Sequence, residues 1–140
     1  MTYTFETTEA DGLMTVRLGG ERPTESADAA RQLSTFWQDV ARRSRERQLR
    51  AVLAIVEARG DLSSDRVLRW FKQVAGFGFA ADTRIAVVIA DRRSRSIVDL
   101  GVHVAAEAGL QIGLFDSEPA ARDWLALSKA PDRQAGRRLN

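Results

Sequence analysis

The stretch RAVLAIVEA (residues 50–58) decides the fold. Its aliphatic residues follow one another without alternating with polar ones, which is typical of a strand covered on both faces, as in a parallel sheet. RIAVVIAD (residues 84–91) has the same character. A segment with helical spacing of apolar residues follows each run. The two runs therefore predict neighbouring parallel strands, joined by a right-handed crossover through a helix.

Three further strands surround these two. YTFETT (residues 3–8) and LMTVRL (residues 13–18) are rich in β-branched and aromatic residues, and Asp11-Gly12 between them predicts a hairpin turn. LQIGLF (residues 110–115) predicts a fifth strand. The sequence thus predicts an α/β fold, a mixed and mostly parallel sheet of about five strands with a leading antiparallel hairpin and helices on both faces.

Four segments carry apolar residues at helical spacing. Thr24 is the predicted N-cap of the first helix, which is expected to run to about Gln48, and Asp116 or Ser117 caps the last. In the third of these segments, Val98 and Val102 lie beside the row of inward apolar residues. They are expected to be exposed and to offer a contact for a possible homodimer. The expected inward residues are Ala30, Leu33, Trp37, Val40 and Ala41, then Val67, Phe71, Val74 and Ala75, then Ile97, Leu100, Gly101, Val104, Ala105 and Ala108, and finally Ala120, Trp124 and Leu127.

Length and composition indicate one globular domain. The chain has 140 residues, 44% of them hydrophobic and 29% charged. Residues 1–128 are expected to form the domain and residues 129–140 a flexible tail. The longest apolar runs are far shorter than the roughly 20 residues that a membrane span needs, and the start of the chain lacks a secretory pattern. A cytoplasmic localisation is expected.

The composition argues against most enzyme classes. The chain has no cysteine, and its single histidine, His103, is expected to face solvent. The side chains that remain for a catalytic role are the carboxylates of Asp61, Asp65 and Asp91. We expect no catalytic residue, no metal and no cofactor. The net charge of +2 gives no reason to expect a specific nucleic-acid partner.

Four segments, taken with the order of elements, carry a family resemblance: LMTVRLGGERPTESADAARQL (residues 13–33), RAVLAIVEARGDL (50–62), TRIAVVIADRRSRSIVDL (83–100) and LQIGLFDSEPAARDWL (110–125). They resemble the SpoIIAA-like family, which is related to STAS domains and to the CRAL-TRIO lipid-binding fold. The resemblance covers residues 3–128. It implies a small mixed sheet with helices on both faces and a regulatory or unassigned role.

Ser63 and Ser64 stand where STAS anti-sigma-factor antagonists carry a phosphorylated serine, at the start of the helix after the third strand. The resemblance implies a phosphoswitch there, in which a partner kinase modifies the serine and breaks a protein complex. The local phrase VEARGDLSSDRV (residues 56–67) has a longer loop than the family's Asp-Ser-Ser/Thr-Gly/Ala phrase. The residues alone favour an N-cap. A phosphate at a helix start would also be held by free backbone N–H groups.

Two other candidate sites follow from the residues. Ligands of open α/β sheets bind outside the carboxyl ends of the strands, so the turn ADRRSRS (residues 90–96) predicts an anion or ligand site. A solvated turn with Asp91 as partner is the alternative. The basic run ARRSRERQLR (residues 41–50) is a nonspecific anion contact or a solvated helix end. The residues of the predicted anion site are Arg92, Arg93, Ser94 and Arg95.

The segment GFGFAADT (residues 76–83) predicts an apolar lid over a pocket, or a hydrophobic partner surface, made by Phe77 and Phe79 together with Trp70. The alternative is a helix C-cap at Gly76 or Gly78 with one phenylalanine tucked beneath it.

Together these features predict a non-enzymatic regulatory or binding module of STAS type. It would act through an unknown protein partner or a small ligand at the carboxyl edge of the sheet. The alternative is a binder of a hydrophobic, acyl or phosphorylated ligand in a CRAL-TRIO-like pocket.

Overall fold

The computed structural model describes residues 3–22, 27–60 and 62–129. A short 3-10 helix, Ala75–Phe77, extends the second α-helix. The elements, in chain order, are β1 (Tyr3–Ala10), β2 (Leu13–Gly20), α1 (Ala27–Glu46), β3 (Ala51–Val56), α2 (Ser64–Val74), β4 (Arg84–Val88), α3 (Arg92–Glu107), β5 (Gln111–Phe115) and α4 (Glu118–Lys129).

The five strands form one sheet in the order β1-β2-β3-β4-β5. β1 and β2 are antiparallel, and every later neighbour is parallel. Asp11 and Gly12 turn the hairpin with positive φ angles of 55° and 78°. The predictions of a leading hairpin and of adjacent parallel β3 and β4 strands are therefore confirmed. Because β3 and β4 run in the same direction, the loops that leave them emerge at one edge, the carboxyl edge of the sheet.

Three helices cover one face of the sheet and α4 covers the other. Successive right-handed crossovers that proceed in one direction place α1, α2 and α3 on the same side. Alternate residues of β3 show the two faces: Val52 and Ala54 belong to the core under α1, α2 and α3, whereas Leu53 and Ile55 belong to the core under α4. This burial on both faces explains the unbroken aliphatic run that decided the fold.

The third helix corrects one prediction from the sequence. Val98 and Val102, expected to be exposed at a homodimer contact, are each only 5% exposed, while Leu100, expected in the core, is 56% exposed. Two overlapping sets of apolar residues in α3 have helical spacing. The set that is buried consists of Val98, Gly101, Val102 and Ala105. The inward stripe is thus rotated from the predicted one, and these valines cannot form a surface contact.

Other expectations are confirmed in part. Val67, Phe71 and Val74 of α2 are buried as predicted, and so are the later residues of the α1 stripe, Trp37 and Val40. Ser117 caps α4, since its Oγ accepts a hydrogen bond from the Ala120 backbone N–H at 3.3 Å.

Some predictions concern residues outside the ranges that the structure describes. The predicted cap Thr24 lies outside the described residues, as does the predicted tail after residue 129. Within the described ranges, no helix combines the length and the apolar character that a bilayer crossing requires.

Candidate functional site

A cavity of about 360 Å³ lies between the sheet and the two helices α1 and α2. Its floor is formed by residues of β3 and β4, among them Ala54 and Val87, and its roof by the inner face of α2. Side chains bridge the two helices across it. The rings of Trp37 and Trp70 meet edge to face with centroids 5.7 Å apart, and Ser34 Oγ lies 3.5 Å from Gln73 Oε1.

The space exists because small residues stand where the neighbouring core has large ones. Ala29 and Ala30 of α1 and Ala54 of β3 all line the cavity. The Trp37 and Trp70 rings bridge the two helices at one point, and the short alanine side chains leave space beside that contact. The cavity is therefore a product of one bulky contact and several short side chains.

Among the described residues, the charged side chains that line the cavity are three arginines, Arg22, Arg66 and Arg69. Arg22 follows β2, and its backbone N–H donates to the Arg59 carbonyl oxygen at 2.7 Å. Its guanidinium donates from Nη1 to the Gly60 carbonyl oxygen, also at 2.7 Å. Burial lowers the pKa of Arg22, and electrostatic attraction to Tyr3 and then to Asp91 partly offsets this effect. These contacts place a partly desolvated positive charge at the carboxyl edge.

Trp70 stands in the middle of α2 and lines the cavity. Its ring packs edge to face against Phe71 and Phe77, with centroids 4.8 and 6.1 Å away. The indole Nε1 atom is buried, and no atom of the described residues accepts its hydrogen. Buried donors of this kind are almost always satisfied in native proteins.

The predicted lid residues take up different positions around Trp70. Phe77 packs on the Trp70 ring and Phe79 lines the cavity, and both are half-buried, not in an exposed loop. Gly78 between them ends the 3-10 helix in the left-handed region, with φ of 99°, which confirms the predicted C-cap. Arg45 Nη1 donates to the Gly78 carbonyl oxygen at 2.6 Å and ties this segment to α1.

Ser63 and Ser64 lie at the start of α2, on the carboxyl edge and close in sequence to Leu62 and Arg66 of the cavity lining. Ser63 Oγ accepts a hydrogen bond from the Arg66 backbone N–H at 3.4 Å, so Ser63 is the N-cap. Both serines are exposed. The capping interpretation is confirmed, and the phosphoswitch stays a prediction.

The predicted anion site at Arg92, Arg93, Ser94 and Arg95 lies at the same edge, and two of its residues, Ser94 and Arg95, have hydrogen-bond partners within the chain. Asp91 caps α3: its Oδ2 accepts hydrogen bonds from the Ser94 N–H at 3.0 Å and the Ser94 hydroxyl at 2.6 Å. These bonds, the hydroxyl first, lower the pKa of Asp91. Arg95 Nη1 donates to the carbonyl oxygens of Ile89 and Ala90. A carboxylate of the chain already occupies the start of α3, where an anion would bind.

The basic run at the end of α1 pairs mostly with carboxylates. Arg42 contacts Asp39 and Glu46, and both contacts raise the pKa of Arg42. Arg43 and Arg47 both bind Glu9, at 3.0 and 2.7 Å. Such pairs leave little unbalanced positive charge for an anionic partner, which favours the interpretation as a solvated helix end.

The residues considered for catalysis do not assemble. His103 is exposed on α3, as predicted, and Asp65 and Asp91 are exposed at two different helix starts. Asp61 lies outside the described residues. Among the residues that the structure describes, no three histidine, aspartate or glutamate side chains are grouped closely enough to hold a metal ion.

The chain matches none of the protein-family models and none of the curated proteins with which it was compared.

Two of the three predicted lid residues, Trp70 and Phe79, line the cavity, and sequence reasoning missed its charged lining, Arg22, Arg66 and Arg69. A weak signal existed, because Arg66, Trp70 and Val74 recur every four residues and so share one face of α2. Nothing in the sequence near Arg22 indicates that it meets α2 at the carboxyl edge.

Proposed function

We propose that the protein is a non-enzymatic binding module that holds a small, mainly apolar molecule in the cavity between the sheet, α1 and α2. The observation that carries the proposal is the cavity itself. Its volume of about 360 Å³ falls within the range of about 300–1,000 Å³ that ligand sites occupy. At about 30 Å³ per non-hydrogen atom, the space of a water molecule in the liquid, it accommodates about a dozen such atoms.

The energetics support a ligand over an empty space. Natural interiors contain few voids larger than a water molecule. Apolar wall left in contact with water costs about 25 cal/mol per Å² of surface. The lining is mainly aliphatic and aromatic, which gives ordered water few partners. An apolar ligand would recover much of this energy.

The family resemblance points in the same direction. The order of elements resembles the SpoIIAA-like family and, more distantly, the CRAL-TRIO lipid-binding fold. A CRAL-TRIO-like pocket is one of the two functions that the sequence suggested, and the cavity supports it. Arg22 and Leu62, which line the cavity, follow β2 and β3, and ligands of open α/β sheets bind at this carboxyl edge.

Titration with decanol, followed by intrinsic tryptophan fluorescence, tests the proposal. Trp37 and Trp70 line the cavity, so saturable binding of one decanol per chain should change the emission. The Ala54→Leu variant places an isobutyl group in the cavity and should weaken binding at least tenfold. The Trp124→Phe variant, altered on the α4 side of the sheet, should keep the response. A folded protein that shows no saturable change would contradict the proposal.

A STAS-type switch at Ser63 or Ser64 is a second candidate function, acting through a protein partner. Its support is the exposure of both hydroxyls at the start of α2, where a phosphate would meet free N–H groups and lie near Arg66. Incubation with cell extract and ATP should add the mass of one phosphate to the chain, and the Ser63→Ala/Ser64→Ala variant should stay unmodified. Equal modification of that variant, or none of the wild type, would contradict the switch.

A further inference from the structure

From the charges around the cavity we infer that its ligand is a single-chain amphiphile with an anionic head, which Arg22 and Arg66 bind at the carboxyl edge while the apolar chain lies beneath α2. This inference rests on the proposed function. It adds the sign of the ligand's charge and the direction in which the ligand lies.

The first argument is the sign of the charged lining. Arg22, Arg66 and Arg69 contribute three positive charges to the cavity wall, and no aspartate or glutamate of the described residues lines it. Charged groups in a site of low dielectric constant contribute strongly to selectivity. A ligand with the same charge as the wall, or one that leaves the wall's charges without a partner, binds at a high cost in free energy. This wall favours an anion and disfavours a cation.

The second argument concerns Arg22. Among the described residues, no carboxylate lies within salt-bridge distance of its guanidinium, and the Gly60 carbonyl oxygen accepts one of its five N–H groups. Desolvation by burial is the largest influence on its pKa, and Asp91 acts on it only through the longer-range attraction between charges. Asp91 itself is held by Ser94. An anionic ligand would give this partly buried cation the close partner that the described chain does not provide.

The third argument is the order of the lining along α2. Arg66 lies near the start of the helix, at the carboxyl edge, and Trp70 and Val74 follow on the same face at intervals of one turn. The helix rises 1.5 Å per residue, so this row extends over about 12 Å from a charged end to an apolar end. Ile85 and Phe79 line the apolar part. A head group at Arg66 therefore directs an attached chain toward Trp70.

Four probes that share one alkyl chain test the inference by isothermal titration calorimetry of the full chain: decanoate, decyl phosphate, decanol and decyltrimethylammonium. We expect at least one of the two anions to bind about tenfold or more tightly than decanol, as a charge-assisted hydrogen bond allows. The cation should bind most weakly. The tighter anion identifies the head group as carboxylate or phosphate.

Charge variants locate the head. The Arg66→Gln variant should lose about tenfold in affinity for the tighter anion and leave the affinity for decanol unchanged. The Arg22→Gln variant should behave alike, and Arg22→Lys should retain part of the affinity. Arg122→Gln, which removes the same charge from α4 on the other side of the sheet, is the matched control and should change neither affinity.

Two results would overturn the inference while the proposed function stands. One is decanol binding as tightly as both anions, and the other is anion affinity that neither Arg66→Gln nor Arg22→Gln alters in a folded variant. If none of the four probes binds, the proposed function fails together with the inference.

Discussion

At the scale of single residues, Gly101 shows how closely α2 and α3 approach. A Cβ atom placed on Gly101 would overlap the Phe71 ring, with Cγ and Cε2 both 2.9 Å away. Phe71 is buried, so its ring has little freedom to move aside. The glycine is needed for space, because α3 has regular helical geometry there.

We therefore expect Gly101→Ala to lower the free energy of unfolding by about 1–3 kcal/mol, the usual cost of overpacking a core. Gly76→Ala is the matched control, because a Cβ atom at Gly76 would meet nothing within 4 Å. The control should be neutral or stabilising by about 0.4–1 kcal/mol. Urea unfolding measures both, and equal stabilities for the Gly101→Ala variant and the wild type would show that the close approach is absent in solution.

At the scale of elements, Asp91 is the cap that starts α3, and its pKa is lowered by its hydrogen bonds to Ser94. A carboxyl whose pKa is lower in the folded state stabilises the fold above its unfolded pKa, and this stabilisation is lost as the pH falls through the folded pKa. The wild type should therefore be more stable than Asp91→Ala at neutral pH. The difference should shrink as the pH is lowered below the ordinary aspartate range, near 3.8.

Urea unfolding as a function of pH measures this difference. The matched control is Asp99→Ala, which removes an exposed carboxylate from within α3 and not from its cap. Its stability relative to the wild type should depend less on pH. A constant difference between the wild type and Asp91→Ala across the acidic range would contradict the capping role of the ionised carboxylate.

The elements also show how far the sequence alone could lead. The aliphatic runs of β3 and β4 and the Asp11-Gly12 turn are local signals, and they were sufficient to predict a mixed sheet with parallel β3 and β4. The inward face of α3 could not be predicted in this way, because the residues beginning at Ile97 and those beginning at Val98 both have helical spacing. Packing against the rest of the molecule decides between them: Val98 and Val102 join the core under α1, α2 and α3, whereas Leu100 is exposed.

At the scale of the whole molecule, the two faces of the sheet differ in how well they are filled. Ala54 of β3 faces the cavity, whereas Ala86 of the adjacent β4 faces the core under α4, with no exposed surface. The sequence suggested an apolar pocket near Trp70, but it could not place that pocket between α1 and α2. The place depends on how the two helices pack, through contacts such as that of Trp37 and Trp70, which are distant in the sequence.

This difference predicts opposite effects for the same substitution. Ala54→Leu should be tolerated or should stabilise the protein by about 0.5–2 kcal/mol, because it fills space. Ala86→Leu should destabilise it by about 1–3 kcal/mol, because its surroundings are already packed. Chemical unfolding of the two variants provides the comparison. Similar losses of stability in both would mean that the space beneath α2 is filled by the chain itself.

The central claim, that the cavity binds a ligand, is tested most directly by the indole Nε1–H signals of the three tryptophans in nitrogen-15 NMR spectra, assigned with single Trp→Phe variants. On addition of decanoate, the Trp70 signal should move to saturation, since the Trp70 side chain lines the cavity. The Trp124 signal, from the opposite face of the sheet, should stay in place. A Trp70 signal that does not move, or a Trp124 signal that moves as far, would contradict the account.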